Sequence, residues 1–330
     1  MAREVEAVED PGLSARVVAR VPLLYEEGPD AELDRPAHVR AGSSLAWVGG
    51  NLAVVQDDAN FVALVDPATL RARAVPLPAG HGGKRQFDDV RGTKAHKLDL
   101  EACVAVPGAE GDLLLAFGSG SSARRERVAV VEGLPGSAPT VALRDASALY
   151  RRLRERDDFA GSDLNVEGAV LLGGRLRLFG RGNGAPRGGL LPVDATCDLE
   201  WAALRAYLRD PEAAPPEPQE VVRYRLGEID GLRLGFTDAA HGGGRLLYSA
   251  AAEDSPDATR DGRVAGSALG VFDAPDRVRW TPLRGPDGSP FTAKVEGLAL
   301  ASSGRAWVVV DSDDPAAPSE LCEVELSGRW

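Results

Sequence analysis

A chain of 330 residues that is 44% hydrophobic and 27% charged, with a formal net charge of −12, has the composition of an ordinary globular protein. The acidic surplus excludes the phosphate neutralisation that nucleic-acid binding needs, and no apolar run approaches the roughly 20 residues of a membrane-spanning helix. Three cysteines at wide spacing (Cys103, Cys197, Cys322) fit neither a disulfide framework nor a zinc site, and the acidic start MAREVEAVEDPGLS lacks the basic and apolar regions of a secretory signal, so a cytoplasmic monomer with no nucleic-acid or membrane partner is expected.

The first strand-like segment, ARVVARVPLLY at about residues 15–24, stands alone. GSSLAWVGG around Ser44 then opens a series, followed by NLAVVQDD, FVALVD and RARAVPLP, which ends at about Pro78. After a polar, basic loop (HGGKRQFDDVRGTKAHK) the pattern returns as LDLEACVAV around Glu101, DLLLAFGSG, RVAVVEG and TVALRD. A short helix, SALYRRLRERD, is expected next, with Asp145 as its cap. The third repeat reads LNVEGAVLL around Glu167, RLRLFGRGN and GGLLPVD, then a helix-like insert, DLEWAALRAYLRD, the Pro-rich PEAAPPEPQ and the strand EVVRYRLG. The fourth, from about Leu232 to Leu283, carries FTDAAHGGG around Asp238, RLLYSAAAED and SALGVFD. The fifth begins with AKVEGLALA at Glu296, continues with RAWVVVDSDD and ELCEVEL, and lacks a fourth strand.

Repeats built only from strands cannot bury both faces of each sheet until neighbours stack about an axis. The expectation is therefore an all-β fold: one domain over residues 1–330, a five-bladed β-propeller of four-stranded blades that start near Ser44, Glu101, Glu167, Asp238 and Glu296. The lone N-terminal strand would complete the fifth blade and close the ring, removing an open edge that otherwise invites intermolecular pairing.

In such a fold the first strand of each blade lines the axis, which would gather Ser44, Glu101, Glu167, Asp238 and Glu296 into a ring. Carboxylates facing one another there must be protonated, neutralised, or hydrogen-bonded to backbone amides at the rim. Hard oxygen ligands of this kind suit Ca2+, with Mg2+ or Mn2+ as alternatives. Loops on the same face bring Lys84, Arg85, Lys94 and His96 ahead of the second repeat's first strand, and Asp57, Arg124, Arg181, Asn183 and Asp311 after the second strands. That basic concentration suits a small anionic ligand, phosphate above all. His96 is the general acid or base candidate, lying five residues before Glu101.

DLEACVAV, NVEGAVLLGGRLRLFGRGN and KVEGLALASSGRAWVVVDSDD resemble the strand-pair signature of esterase-like phytase and related bacterial propellers. The five-fold count is similar to the calcium-activated apyrase fold, and the chain also resembles members of an uncharacterised bacterial propeller family. The apyrase resemblance implies a calcium role for Ser44, Glu101, Glu167 and Glu296, with Asp238 as a shorter substitute. Two functions follow as expectations. One is a metal-dependent hydrolase of a phosphate ester or anhydride, with His96, Arg85, Arg124 and Arg181 as catalytic groups and Lys84, Lys94, Asp57, Asn183 and Asp311 on the substrate. The alternative is a non-catalytic ligand- or protein-binding propeller with a structural cation.

Overall fold

The computed structural model describes residues 3–109, 111–210, 212–254, 262–274, 276–301 and 304–330. Pro211, where the Pro-rich segment begins, and Ser302 and Ser303 of the last motif lie outside the described residues. The fold is mostly β and propeller-like, with strands wherever apolar runs of six to eleven residues are bounded by Gly, Asp or Asn turns.

In chain order, β1 (Arg3–Glu6), β2 (Val8–Glu9) and β3 (Ser14–Pro22) precede the first repeat, β4 (Gly42–Val48), β5 (Asn51–Gln56), β6 (Phe61–Asp66) and β7 (Arg71–Pro76). The second comprises β8 (Leu100–Val106), β9 (Asp112–Gly118), β10 (Arg127–Leu134) and β11 (Thr140–Asp145), followed by α1 (Ser147–Arg154) and α2 (Asp157–Ala160). The third has β12 (Val166–Leu172), β13 (Arg175–Gly180) and β14 (Asp194–Glu200), then α3 (Trp201–Arg209) and β15 (Gln219–Arg225). After the short β16 (Glu228–Ile229) come β17 (Leu232–Gly242), β18 (Arg245–Glu253), β19 (Val264–Ala274) and β20 (Arg277–Arg284), and finally β21 (Val295–Leu300), β22 (Arg305–Val310) and β23 (Glu320–Ser327). Within each repeat successive strands pair antiparallel.

The N-terminal segment runs along the outer strands of the third, fourth and fifth repeats. β1 lies parallel to β15, β2 parallel to β20, and β3 antiparallel to β23, with Leu321 opposite Val21 and Leu326 opposite Ala15. β3 also touches β20, so strands 16 to 23 join β3 in one continuous sheet. β4 packs against β8, β8 against β12, β12 against β17, β17 against β21 and β21 against β4.

Apolar clusters fill the spaces between successive sheets. Val55, Val62, Leu114 and Val131 join the first two, and Leu115, Phe117, Leu149, Tyr150, Leu176 and Leu204 join the second and third with α1 and α3. An aromatic group in which Phe236 meets Phe179, Tyr224 and Tyr248 edge-on lies between the third and fourth. Leu247, Val271, Val295 and Val308 join the fourth and fifth, while Leu52, Val54, Val309 and Leu321 lie together where the fifth meets the first.

Two local readings change. The third strand of the third repeat is DATCDLE, Asp194–Glu200, and not GGLLPVD, because Asp198 is held by Arg177 at 2.6 Å and Asp194 by the amides of Gly182 and Phe236, so polar residues sit satisfied inside a buried strand. Asp145 does meet the start of α1, accepting from Ser147 N at 2.9 Å, although it lies one residue before the cap position at Ala146.

Candidate functional site

Each first strand carries an irregularity at the same place. The pairing register slips by one residue at Ser43, Glu101, Glu167, Thr237 and Glu296, leaving that residue without a partner in the second strand. A bulge re-aims its side chain, so these five positions are equivalent about the axis. Glu101, Glu167 and Glu296 line one polar cavity there, together with Ser43. Ser44 and Asp238 do not, since a strand's faces alternate and a one-residue offset sends them elsewhere.

Asp238 is a structural crosslink. Its Oδ2 accepts from Ser44 Oγ at 3.0 Å, Leu45 N at 3.2 Å and Leu298 N at 2.9 Å, and its Oδ1 from Ala239 N at 2.8 Å. Ser44 Oγ in turn accepts from Cys103 N at 3.0 Å, so four first strands meet at one buried carboxyl. Among the readings left open for the acids, hydrogen bonding to backbone amides is the one that describes Asp238. Close approach of the strands depends on the glycine after Glu296: a Cβ on Gly297 would stand 2.9 Å from the Ser44 carbonyl carbon.

The cavity encloses about 60 Å3, room for one or two water-sized groups. The alternate residues leading into the bulges add further polar groups to it: Lys97 and Asp99 before Glu101, Asn165 before Glu167, and Lys294 before Glu296. Lys97 Nζ lies 2.6 Å from Asp99 Oδ1 and also contacts Asp57. Arg125 Nη1 lies 2.8 Å from the other oxygen of Asp99, to which Ser119 also donates. Arg181, 4% exposed, spans Glu167 at 3.5 Å and Glu253 at 2.7 Å, and Asn165 donates to Glu167 at 2.6 Å. Lys294 Nζ reaches Glu296 at 2.7 Å and Glu253 at 3.4 Å. The fourth repeat supplies space in place of an acid, since a Cβ on Gly235 would come within 3.1 Å of Arg181 Cγ, and Thr237 turns its hydroxyl to Ser249 at 2.9 Å.

Glu101 differs from the other lining glutamates. Among the described residues it makes no hydrogen bond or ion pair, and burial, reinforced by the charges of Asp99, Asp57 and Glu167, pushes its carboxyl well above the usual range. Burial also raises Asp99, but Lys97 and Arg125 prevail and hold it below its usual value. Burial raises Glu296 to about 8 against the pull of Lys294, and raises Glu167 against Arg181. Lys97 is pushed down by burial and lifted further by Asp57, Asp99 and Glu101, so it stays charged. Oxygens of Asp57, Asp99 and Glu101 all lie within 4.8 Å of one another.

The remaining expected residues divide. Arg181, Asp57, Asn183 and Asp311 line the cavity, Asp311 accepting from Ala41 N at 2.9 Å and Ser319 Oγ at 2.7 Å. Arg124 is exposed, and its neighbour Arg125 is the residue that reaches in. Arg85 is spent on the backbone, donating to Leu77 O at 2.8 Å. His96 stacks on His81 with ring centroids 3.8 Å apart and is outside the cavity lining. Lys84 is exposed outside that lining, and Lys94 pairs with Asp89 at 3.4 Å in a neighbouring cleft. Asp99, Asn165, Lys294 and Ser43 escaped the sequence reading, although the alternation K-x-D-x-E, N-x-E and K-x-E was there to be read.

Residues 38–326 match the model of a family of unknown function, DUF6929, and the chain belongs to that family. No curated protein matches it. Among solved structures it is similar to the glutaminyl cyclase of Myxococcus xanthus, at 11% identity and a TM-score of 0.45 over 99% of this chain and 100% of that one. It is also similar to the Bacillus subtilis arabinanase Arb43A (10%, TM-score 0.41, 87% and 94%) and to an exo-1,5-alpha-L-arabinanase from a bovine ruminal metagenomic library (9%, TM-score 0.42, 87% and 92%).

Proposed function

We propose that the chain is a five-bladed propeller closed by its N-terminal strand, and that the axial cavity is the site of a hydrolase in which Glu101 is the proton donor. The observation that carries this reading is an unpartnered carboxyl, Glu101, whose oxygen lies within 4.8 Å of Asp99, a carboxylate kept ionised by Lys97 and Arg125. Two neighbouring acids with environments that drive their proton affinities apart are suited to general acid–base work. Glu101 would protonate the leaving group, and the carboxylate left behind would take a proton from the attacking water.

A phosphate substrate fits this cavity poorly. Lys97, Arg125, Arg181 and Lys294 are each already engaged by carboxylates, and Asp57, Asp99, Glu101, Glu167, Glu296, Asp311 and Asp313 outnumber them in the lining. A substrate that is neutral or positively charged meets no such repulsion. A panel of glycosides, esters, amides and phosphate esters, assayed with wild type and Glu101→Gln, tests the proposal. Turnover lost in the variant with melting temperature retained is expected; turnover unchanged by Glu101→Gln would remove Glu101 from the mechanism.

A second reading, a bound hard cation such as Ca2+, is favoured by one observation: a carboxylate oxygen of Asp57 lies within 4.8 Å of oxygens of Asp99 and Glu101, and its Oδ1 is buried and accepts nothing. Asp57, Asp99 and Glu101 would hold the ion, which would polarise a substrate oxygen. Internal ammonium and guanidinium groups already neutralise much of the acid, so the ion is not required for the cavity to fold. A calcium titration that raises the melting temperature, reversed by chelator, supports this reading, and an unchanged melting temperature removes it.

A further inference from the structure

On the outer side of the third repeat, away from the axis, a cleft of about 390 Å3 gathers three arginines, Arg223 and Arg225 of β15 and Arg233 of β17, against one acid, Glu4 of β1. In a chain with a formal net charge of −12 this is a local reversal of sign. Leu191, 63% exposed, and Pro192 line the same cleft and give it an apolar ledge.

Two of the three guanidiniums are taken. Arg225 Nε meets Glu4 at 2.6 Å, and Arg233 Nη2 lies 3.4 Å from Asp194, whose other oxygen already accepts from the amides of Gly182 and Phe236. Arg223 is left over. Glu4 stands opposite it in the parallel pairing of β1 with β15 but gives its carboxylate to Arg225, and in the pairing of β14 with β15 the residue opposite Arg223 is Ala195, whose side chain accepts nothing. Asp158, which Arg156 holds below its usual value through bonds of 3.0 and 2.8 Å, feels the charge of Arg223 only as a lesser cause and forms no ion pair with it. Among the described residues the half-buried Arg223 guanidinium therefore has no hydrogen bond or ion pair. A guanidinium offers five donors in a planar fork that matches the two oxygens of a carboxylate, and partial burial removes some of the water that would otherwise meet them.

We propose that this cleft binds a monoanionic carboxylate with a short aliphatic body. The carboxylate takes the fork of Arg223, Arg225 and Arg233 add positive charge around it, and the methylenes lie on Leu191 and Pro192. A carboxylate suits the cleft better than phosphate, because one guanidinium is in surplus and one negative charge balances it, and because inorganic phosphate has no apolar part for the ledge. The occupant bridges the third repeat, the start of the fourth and the N-terminal strand beside them, so it should stabilise the fold on binding. The site is separate from the axial cavity and stands or falls independently of Glu101.

The test compares hexanoate with hexanol, acetate, hexylammonium and inorganic phosphate by calorimetry and thermal melting on the full chain. Hexanoate should raise the melting temperature and bind at least about tenfold more tightly than hexanol, acetate or phosphate, with hexylammonium not binding. Arg223→Gln should weaken hexanoate about tenfold or more while leaving the ligand-free melting temperature unchanged, since the guanidinium has no partner to lose. Leu191→Ser, at an exposed position, should weaken hexanoate about threefold and leave acetate as it was, which tests the ledge should Arg223→Gln fail to fold. Equal affinity for hexanoate and hexanol, or hexanoate binding unchanged by Arg223→Gln, overturns the proposal. Phosphate binding more tightly than hexanoate, or no binding by any of the five, overturns it as well.

Discussion

At one end of the axis the first strands of the repeats present Ser43, Glu101, Glu167 and Glu296 to a cavity in which almost every lining group is charged or hydrogen-bonding. A few residues farther along, the same strands present Leu45, Trp47, Val104, Leu171 and Leu300 to a cavity of about 200 Å3 that is largely apolar. Between the two lies the Asp238 crosslink, which binds β4, β17 and β21 directly and β8 through Ser44. One set of five strands thus supports two opposed environments because its bulges confine the polar side chains to one end. The polar end holds many charges because Arg181 and Lys294 each face two acids and Lys97 does the same.

If the crosslink is what separates the two ends, removing it should have the largest effect. Asp238→Ala leaves the hydroxyl of Ser44 and the amides of Leu45, Leu298 and Ala239 without their acceptor in a buried site, a loss of about 3–5 kcal/mol by urea denaturation. Asp238→Asn keeps one acceptor oxygen and should recover part of that. A loss under about 1 kcal/mol for the alanine variant would show that strand packing alone keeps the ends apart.

The polar end should also give the protein a distinctive pH dependence. Glu296 and Asp58 are raised in the folded protein to about 8 and about 7, so between roughly pH 4, where they titrate when unfolded, and those values the folded state binds more protons than the unfolded one. Stability must therefore fall as pH rises through that window, by up to about 1.4 kcal/mol per pH unit for each group. Asp99 acts in the opposite sense: held below its usual value, it contributes stability above about pH 4 that is lost as pH falls through its folded value. Denaturation at a series of pH values from about 5 to about 8 should show the decline, and Glu296→Gln should flatten it. A rise in stability over that range would contradict the folded-state proton affinities assigned to this end.

The contrast also explains what could be read from the chain alone. Glu101, Glu167 and Glu296 are legible because each precedes a small residue and an apolar run, so the repeat survives inspection. Ser44 and Asp238 were matched to them one residue out of phase, since a bulge changes register without changing composition and the true equivalents, Ser43 and Thr237, carry no acid. The counter-ion Lys294 was harder, because it looks like ordinary solvated charge until the strand's alternation places it on the axial side. The strand Asp194–Glu200 was hidden for a similar reason: its polar residues are satisfied by partners distant in sequence, Arg177 and the amide of Phe236. The outer course of β1 and β2 has no periodic pattern to betray it, since edge strands of two to four residues bury little.

The smallest expected effect tests whether the ends are independent. Trp47 is half-buried at the apolar end and its indole Nε1 donates to Leu300 O, linking β4 to β21. Trp47→Phe keeps an aromatic ring against the same wall but leaves that carbonyl without its donor, a loss of about 1 kcal/mol. Because the indole lies on the far side of the Asp238 crosslink from Glu101, the change should not alter the pH dependence. A double-mutant cycle with Glu101→Gln, read by urea denaturation, should give an interaction energy below about 0.5 kcal/mol. Coupling of about 1 kcal/mol or more would mean that strain at one end reaches the other through Ser44, Leu45 and Leu298, the residues that grip Asp238 from either side. The crosslink would then transmit between the two ends, and the apolar cavity could no longer be treated as separate from the chemistry at Glu101.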